Sequence, residues 1–225
     1  AVVATPAGAR VARLARLIDR APLFPPASLD LPEALAEDAR ARESEESFML
    51  GRFVCPASRL AELPDVGRGV SVVLEGPFQR EARVEAAEVR ADGELSRFAD
   101  LAPEVYVEVA LDESLEETLD ELAAHGLGAK VRCGGASVPS EAALGGFLRA
   151  CGEREIAFKA TAGLHHAVRS EREHGFLNLL AAVVFGEEED ALAETDPGAF
   201  SLDAERFAWR ERLAYAGELA HARSE

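Results

Sequence analysis

Lysine is nearly missing from this sequence: only two of its 24 basic residues, Lys130 and Lys159, are lysines, the rest being arginine. Asparagine occurs once, at Asn178, and cysteine three times, at Cys55, Cys133 and Cys151. Three cysteines with no C-x-x-C spacing argue against both a disulfide framework and a thiolate metal site, and buried thiols are expected instead. No apolar run approaches the about 18–20 residues of a membrane helix, and no charged-then-apolar leader opens the chain, so the cytoplasm is the expected compartment. A formal charge of −17 argues against nucleic acid as a partner, because its backbone is bound by basic faces. There is no G-x-G-x-x-G, no P-loop, and no H-x-H, H-E-x-x-H or D-x-D spacing. Arginine in place of lysine, with abundant Ala, Glu and Gly, has the look of a GC-rich genome, which makes the two surviving lysines stand out.

The scarce residues are clustered. Both lysines, the single asparagine, three of the five histidines (His165, His166, His174) and two of the three cysteines fall between Lys130 and Asn178. Around them, a chain of 225 residues with 48% hydrophobic content is long enough for one α/β barrel domain with a sizeable core. Residues 1–46 read as a helical segment, a cover or homo-oligomer contact. Val11, Leu14 and Ile18 share one helical face, FPPAS breaks that helix, and Asp30 and Pro32 start the next. Residues 47–225 then alternate short apolar runs with helical stretches. The spans 48–54, 70–76, 84–90, 104–111, 127–133 and 155–161 read as strands. Helices are expected after 114, after the Ser140 cap and over 174–185, with a strand or hairpin near 200–209 and a last helix after 213. Alternation of this kind predicts a parallel sheet, and a (β/α) TIM-type barrel is favoured over a doubly wound sheet. The barrel is expected to be incomplete or open, because no eighth strand follows Trp209. The linker 76–83 is also short for a crossover helix.

Strand alternation locates a site. With Val105, Val107, Val109 and Leu111 facing the helices, Tyr106 and Glu108 face inward. By the same parity Lys130, Arg132, Lys159 and Thr161 point in, and so does Glu75 at the end of its strand. Charges directed into a barrel suit an enzyme better than a structural core, which branched apolar residues would fill. Lys159 is the candidate amine nucleophile, with Lys130 lowering its pKa, Glu108 moving protons, and His165 or His166 assisting. Arg132, Gly134, Gly135 and Thr161 are candidates to hold an anionic group. His174 and Asn178, four apart on one helix face, are candidates to reach the same place. No cofactor is required by this scheme. The alternatives are a divalent metal on Glu75 and Glu108 serving a carbon-acid reaction, and a non-enzymatic binding or assembly barrel.

The run KVRCGG, then FKATAGLHHAVR, then HGFLN resembles an uncharacterised bacterial protein family over roughly residues 100–215. That resemblance implies one further strand-like segment beyond this C-terminus and assigns no catalytic residue. The layout of strand-end lysines is also loosely similar to class I, Schiff-base aldolase barrels. It implies a Schiff base on Lys159, the lysine of the sixth expected strand, and lyase chemistry on a small anionic carbonyl compound.

Overall fold

The computed structural model describes residues 15–45, 47–135, 138–171, 173–202 and 206–215. Seven strands form one parallel sheet in strict sequence order: β1 (Ile18–Arg20), β2 (Leu50–Pro56), β3 (Val70–Val73), β4 (Val84–Arg90), β5 (Glu104–Glu108), β6 (Gly128–Arg132) and β7 (Phe158–Thr161). The sheet curls into a half-barrel. In a flat sheet of this width the outer strands would stand about 29 Å apart at the usual spacing of about 4.8 Å. Here the Lys159 ammonium of β7 lies 2.6 Å from the Asp19 carboxylate of β1, which only strong curvature allows. The barrel is not closed: among the described residues no strand bridges β7 and β1.

Helices cover the outer face. Helix α1 (Leu31–Arg42) begins where Asp30 accepts a hydrogen bond from the Glu33 amide, with Pro32 in its first turn. Helix α2 (Leu115–Ala124) ends at Gly126 in the left-handed region. Helix α3 (Glu141–Glu153) is capped by Ser140. Helix α4 (Phe176–Phe185) and the short α5 (Glu188–Ala193) pack on one another and on α3. Between β2 and β3 there is only a 3-10 turn, which buries Leu60, and between β3 and β4 there is no helix. The core lies between sheet and helices, with Val70, Val72, Val105, Val107, Ala129 and Val131 pointing into it.

Two expectations are corrected. Ile18, read as part of a first helix, begins strand β1, which pairs in parallel with β2; the rest of that stretch, 1–14, lies outside the described residues. A three-residue strand is too short to show a period, so an apolar spacing that fits a helix prevailed. The region after 200 is a separate antiparallel sheet of β8 (Phe200–Leu202), β9 (Arg206–Trp209) and β10 (Arg212–Tyr215). Leu213–Tyr215, read as the start of a last helix, is therefore strand, and the remainder of that helix lies outside the described residues.

Candidate active site

The inner face of the half-barrel is charged because the residues that alternate with the core positions are charged. On β5, Glu104, Tyr106 and Glu108 line the interior, while Val105 and Val107 join the core. On β4 the register slips between Val70 and Ser71 of its neighbour, so that Val84 and then Ala86 are the facing residues. This bulge puts Glu85 and Glu88, three residues apart, on the same side.

Two layers of ion pairs result. Near the strand starts, Arg52 donates to Glu104 (2.6 Å) and to Glu85 (3.2 Å), Arg16 meets Glu85 (2.7 Å), and the Tyr106 hydroxyl donates to Glu104 (2.7 Å). One step along the strands lies an alternating chain of acids and bases. Asp19 contacts Lys159 (2.6 Å), Lys159 contacts Glu88 (2.6 Å), Glu88 contacts Lys130 (3.1 Å), and Lys130 contacts Glu108 (3.1 Å). Ser71 donates a further hydrogen bond to Glu88 (2.9 Å), and the Arg52 amide donates to Asp19 (2.6 Å). Glu88 is almost fully enclosed, its side chain only 3% exposed, and Glu108 is the chain's most open member at 21%.

Charge states follow from these contacts. Burial pushes the Glu88 carboxyl up, but the Lys159 and Lys130 ammoniums outweigh it and hold its pKa below the usual carboxylate range. For Lys159, burial favours the neutral amine, yet Glu88 and Asp19 raise its pKa above the ordinary lysine value. The sequence suggested that Lys130 would lower the pKa of Lys159. The carboxylate placed between the two lysines reverses that effect, and Lys159 rests as an ammonium.

This layer forms the floor of a cavity of about 2040 Å³. One wall is apolar, built from Phe176, Leu179, Leu180, Val183 and Val184, a stripe of helix α4 at i, i+3, i+4, i+7 and i+8 spacing. Part of the rim is the loop after β7, where Ala162, Gly163 and Leu164 all have positive φ. This loop is locked to the one after β6. A Cβ on Gly134 would sit 2.3 Å from the Ala162 carbonyl oxygen, and one on Gly163 would sit 2.9 Å from that of Cys133. The two glycine-bearing motifs therefore adjoin through backbone that leaves no room for side chains.

The structure brings Lys130, Lys159, Glu108, Arg132, Thr161, His165, His166 and Glu75 to the one cavity. Glu75 is exposed in a bend beyond β3, and His165 and His166 are both exposed on the rim loop. His166 contacts Glu173 (3.0 Å). Gly134 and Gly135 are not part of the lining, and neither are His174 and Asn178. Buried His174 accepts from Arg169 at Nδ1 (3.0 Å) and donates from Nε2 to the Pro139 carbonyl (2.8 Å). Asn178 accepts from the Arg169 amide and donates to the carbonyls of Ala191 and Glu194, tying α4 to the end of α5. Both residues hold loops in place. No family model matches this chain, and neither does any curated protein.

Glu88, Asp19, Ser71 and Arg52 belong to the site and were missed in the sequence. Glu88 was hidden because its strand, bulged near Glu85, shows no alternation from which a face could be assigned. Asp19 was hidden because its strand is three residues long. All three cysteines are buried, and burial pushes Cys55 up to about 11 and Cys133 and Cys151 up to about 12, so none rests as a thiolate. Among the described residues no three His, Cys, Asp or Glu side chains group as metal ligands. Chemically, the floor offers ammonium groups that can stabilise a developing oxyanion beside carboxylates that can accept a proton.

Proposed function

We propose that this chain is an enzyme that acts on a small anionic carbonyl compound by lyase-type chemistry beginning at a carbon acid. One observation carries the reading: five alternating carboxylates and ammoniums, Asp19 to Glu108, form the floor of a large cavity in a parallel half-barrel. A scaffold gains little from such a chain, since a buried ion pair is often no more stabilising than apolar residues of the same volume. In the proposed step Glu108, the most open carboxylate, takes the proton from the carbon next to the substrate carbonyl. The electron pair moves to the carbonyl oxygen, and Lys130, with Lys159 behind Glu88, stabilises the resulting enolate. In the cleavage direction a carboxylate of the floor takes the proton of the β-hydroxyl, the bond between the α- and β-carbons breaks to release an aldehyde and leave the same enolate, and protonated Glu108 returns a proton to the α-carbon. The pKa of Lys159 favours this ammonium role over that of a resting Schiff-base nucleophile.

The test is hydrogen–deuterium exchange at carbon. Small 2-oxo acids and short phosphorylated aldehydes and ketones are incubated with the protein in D2O and followed by proton NMR. At least one should exchange its α-hydrogen, and Glu108→Gln should slow that exchange by about 100-fold or more. Borohydride is added in parallel and intact mass recorded. An adduct on Lys159 would overturn the ammonium role in favour of a nucleophile. A panel that neither exchanges nor forms adducts would overturn the enzymatic reading.

A further inference from the structure

Acidic residues outnumber basic ones 41 to 24, so an arginine without a carboxylate is the exception in this molecule. Among the described residues Arg90 and Arg132 line the cavity, and their exposed side chains have neither an ion pair nor a hydrogen bond. They are placed together by register. Arg90 ends β4 opposite Glu108 of β5, Glu108 is opposite Lys130 of β6, and Arg132 lies two residues beyond Lys130. Arg90 likewise lies two residues beyond Glu88. Both therefore share the inward parity of the acid–base chain and stand one layer nearer the rim, about 6–7 Å along the strands. Their strands are separated only by β5, and Arg132 is offset from the level of Arg90 by two residues, so their backbones stand about 11–12 Å apart. Two arginine side chains can close that gap on a single group.

From this geometry we infer that Arg90 and Arg132 form a grip for the phosphate group of a short phosphate ester; the inference rests on the reading of the floor as a reaction site and names its substrate class. A phosphate monoester presents three terminal oxygens and a charge approaching −2, which matches two guanidinium forks. A carboxylate has two oxygens and is satisfied by one fork. The layer spacing sets the length of the ester: a phosphate held at the rim layer leaves its carbonyl carbon over Lys130 and Glu108 when only a few bonds separate the two. The double glycine of KVRCGG serves this grip indirectly. A Cβ at Gly135 would come within 3.3 Å of Arg132 Nη2, so the bare backbone leaves space for the guanidinium. Local cations are needed because the field of a protein with charge −17 repels an anion at longer range.

The grip is tested separately from turnover, with inorganic phosphate as probe and malonate as the carboxylate comparison, by titration calorimetry at low ionic strength. One phosphate should bind per chain. Arg90→Gln and Arg132→Gln should each weaken binding about tenfold or more, whereas Arg80→Gln, an exposed residue outside the cavity lining, should leave it unchanged. Circular dichroism and thermal midpoints check that the variants fold; neither substitution orphans a partner. Phosphate binding that is absent, or unchanged in both variants, overturns the grip, and malonate binding more tightly than phosphate overturns the assignment to phosphate. The two readings fail in different ways. Arginine-dependent phosphate binding without exchange at carbon removes the proposed reaction and leaves the grip. Exchange of a phosphorylated substrate at an unchanged KM in both variants removes the grip and leaves the reaction.

Discussion

Glu88 is the residue on which the site depends, because it holds two ammoniums at once and is itself out of reach of water. Glu88→Gln leaves Lys130 and Lys159 buried with one fewer compensating charge, and breaking a buried pair in this way costs about 3–5 kcal/mol. Urea denaturation at neutral pH should show that loss. The pH dependence has a definite sign. The pKa of Glu88 is lower folded than unfolded, so its contribution is present above the ordinary carboxylate range and lost as pH falls through the depressed folded value. The pKa of Lys159 is raised, so its contribution is present below the ordinary lysine range and lost as pH climbs through the elevated folded value. Stability measured against pH should have a plateau between these limits, and Glu88→Gln should flatten the acid limb in particular. An acid limb unchanged in the variant would mean that other carboxylates govern acid unfolding.

At the scale of elements, the glycines of the loops after β6 and β7 do a job that the motif alone did not reveal. Gly134→Ala would force a Cβ to within 2.3 Å of the Ala162 carbonyl oxygen, and neither backbone is free to swing away as a side-chain tip could. Overpacking of this kind costs about 1–3 kcal/mol. The thermal midpoint should fall, and amide resonances of residues 162–166 should shift while those of α2 stay in place. The same elements show what could be read in advance. Strands β2 to β7 were legible because each lies in a short stretch with apolar residues on at least one face, set off from the next by turn residues or a capped helix. The inward direction of Lys130, Lys159, Tyr106 and Glu108 followed from strict alternation on β5, β6 and β7. Strand β4 kept no strict alternation, since its bulge places Glu85 and Glu88 on one side, and the central carboxylate was lost with it. His174 and Asn178 were misdirected for another reason. The four-residue spacing gives a shared face only within a helix, and His174 precedes the helix, which begins at Phe176; the two side chains meet the loop at Arg169, and Asn178 also the end of α5.

For the whole molecule, the open seam sets the mechanical question. Among the described residues, backbone hydrogen bonds join each strand to the next from β1 to β7 and stop there. Across the seam the Asp19–Lys159 contact is a side-chain bridge, and Asp19 is suited to it because its two oxygens have separate duties. One oxygen accepts from the Arg52 amide and fixes the side chain to β2, and the other accepts from Lys159 on β7. Asp19→Asn keeps an oxygen for the amide but removes the charge, and its amide nitrogen cannot accept from the ammonium. Lys159 would then lean on Glu88 alone. Stability here is local, because an edge held by few bonds can open without the rest of the sheet. Native-state hydrogen exchange should therefore accelerate at residues 18–20 and 158–161, while β4 and β5, paired on both sides, keep their protection. Uniform acceleration across all seven strands would show that the seam opens only with global unfolding. No acceleration at all would mean that the curvature is held by the helices on the outer face, and that the bridge matters for the chemistry of Lys159 alone.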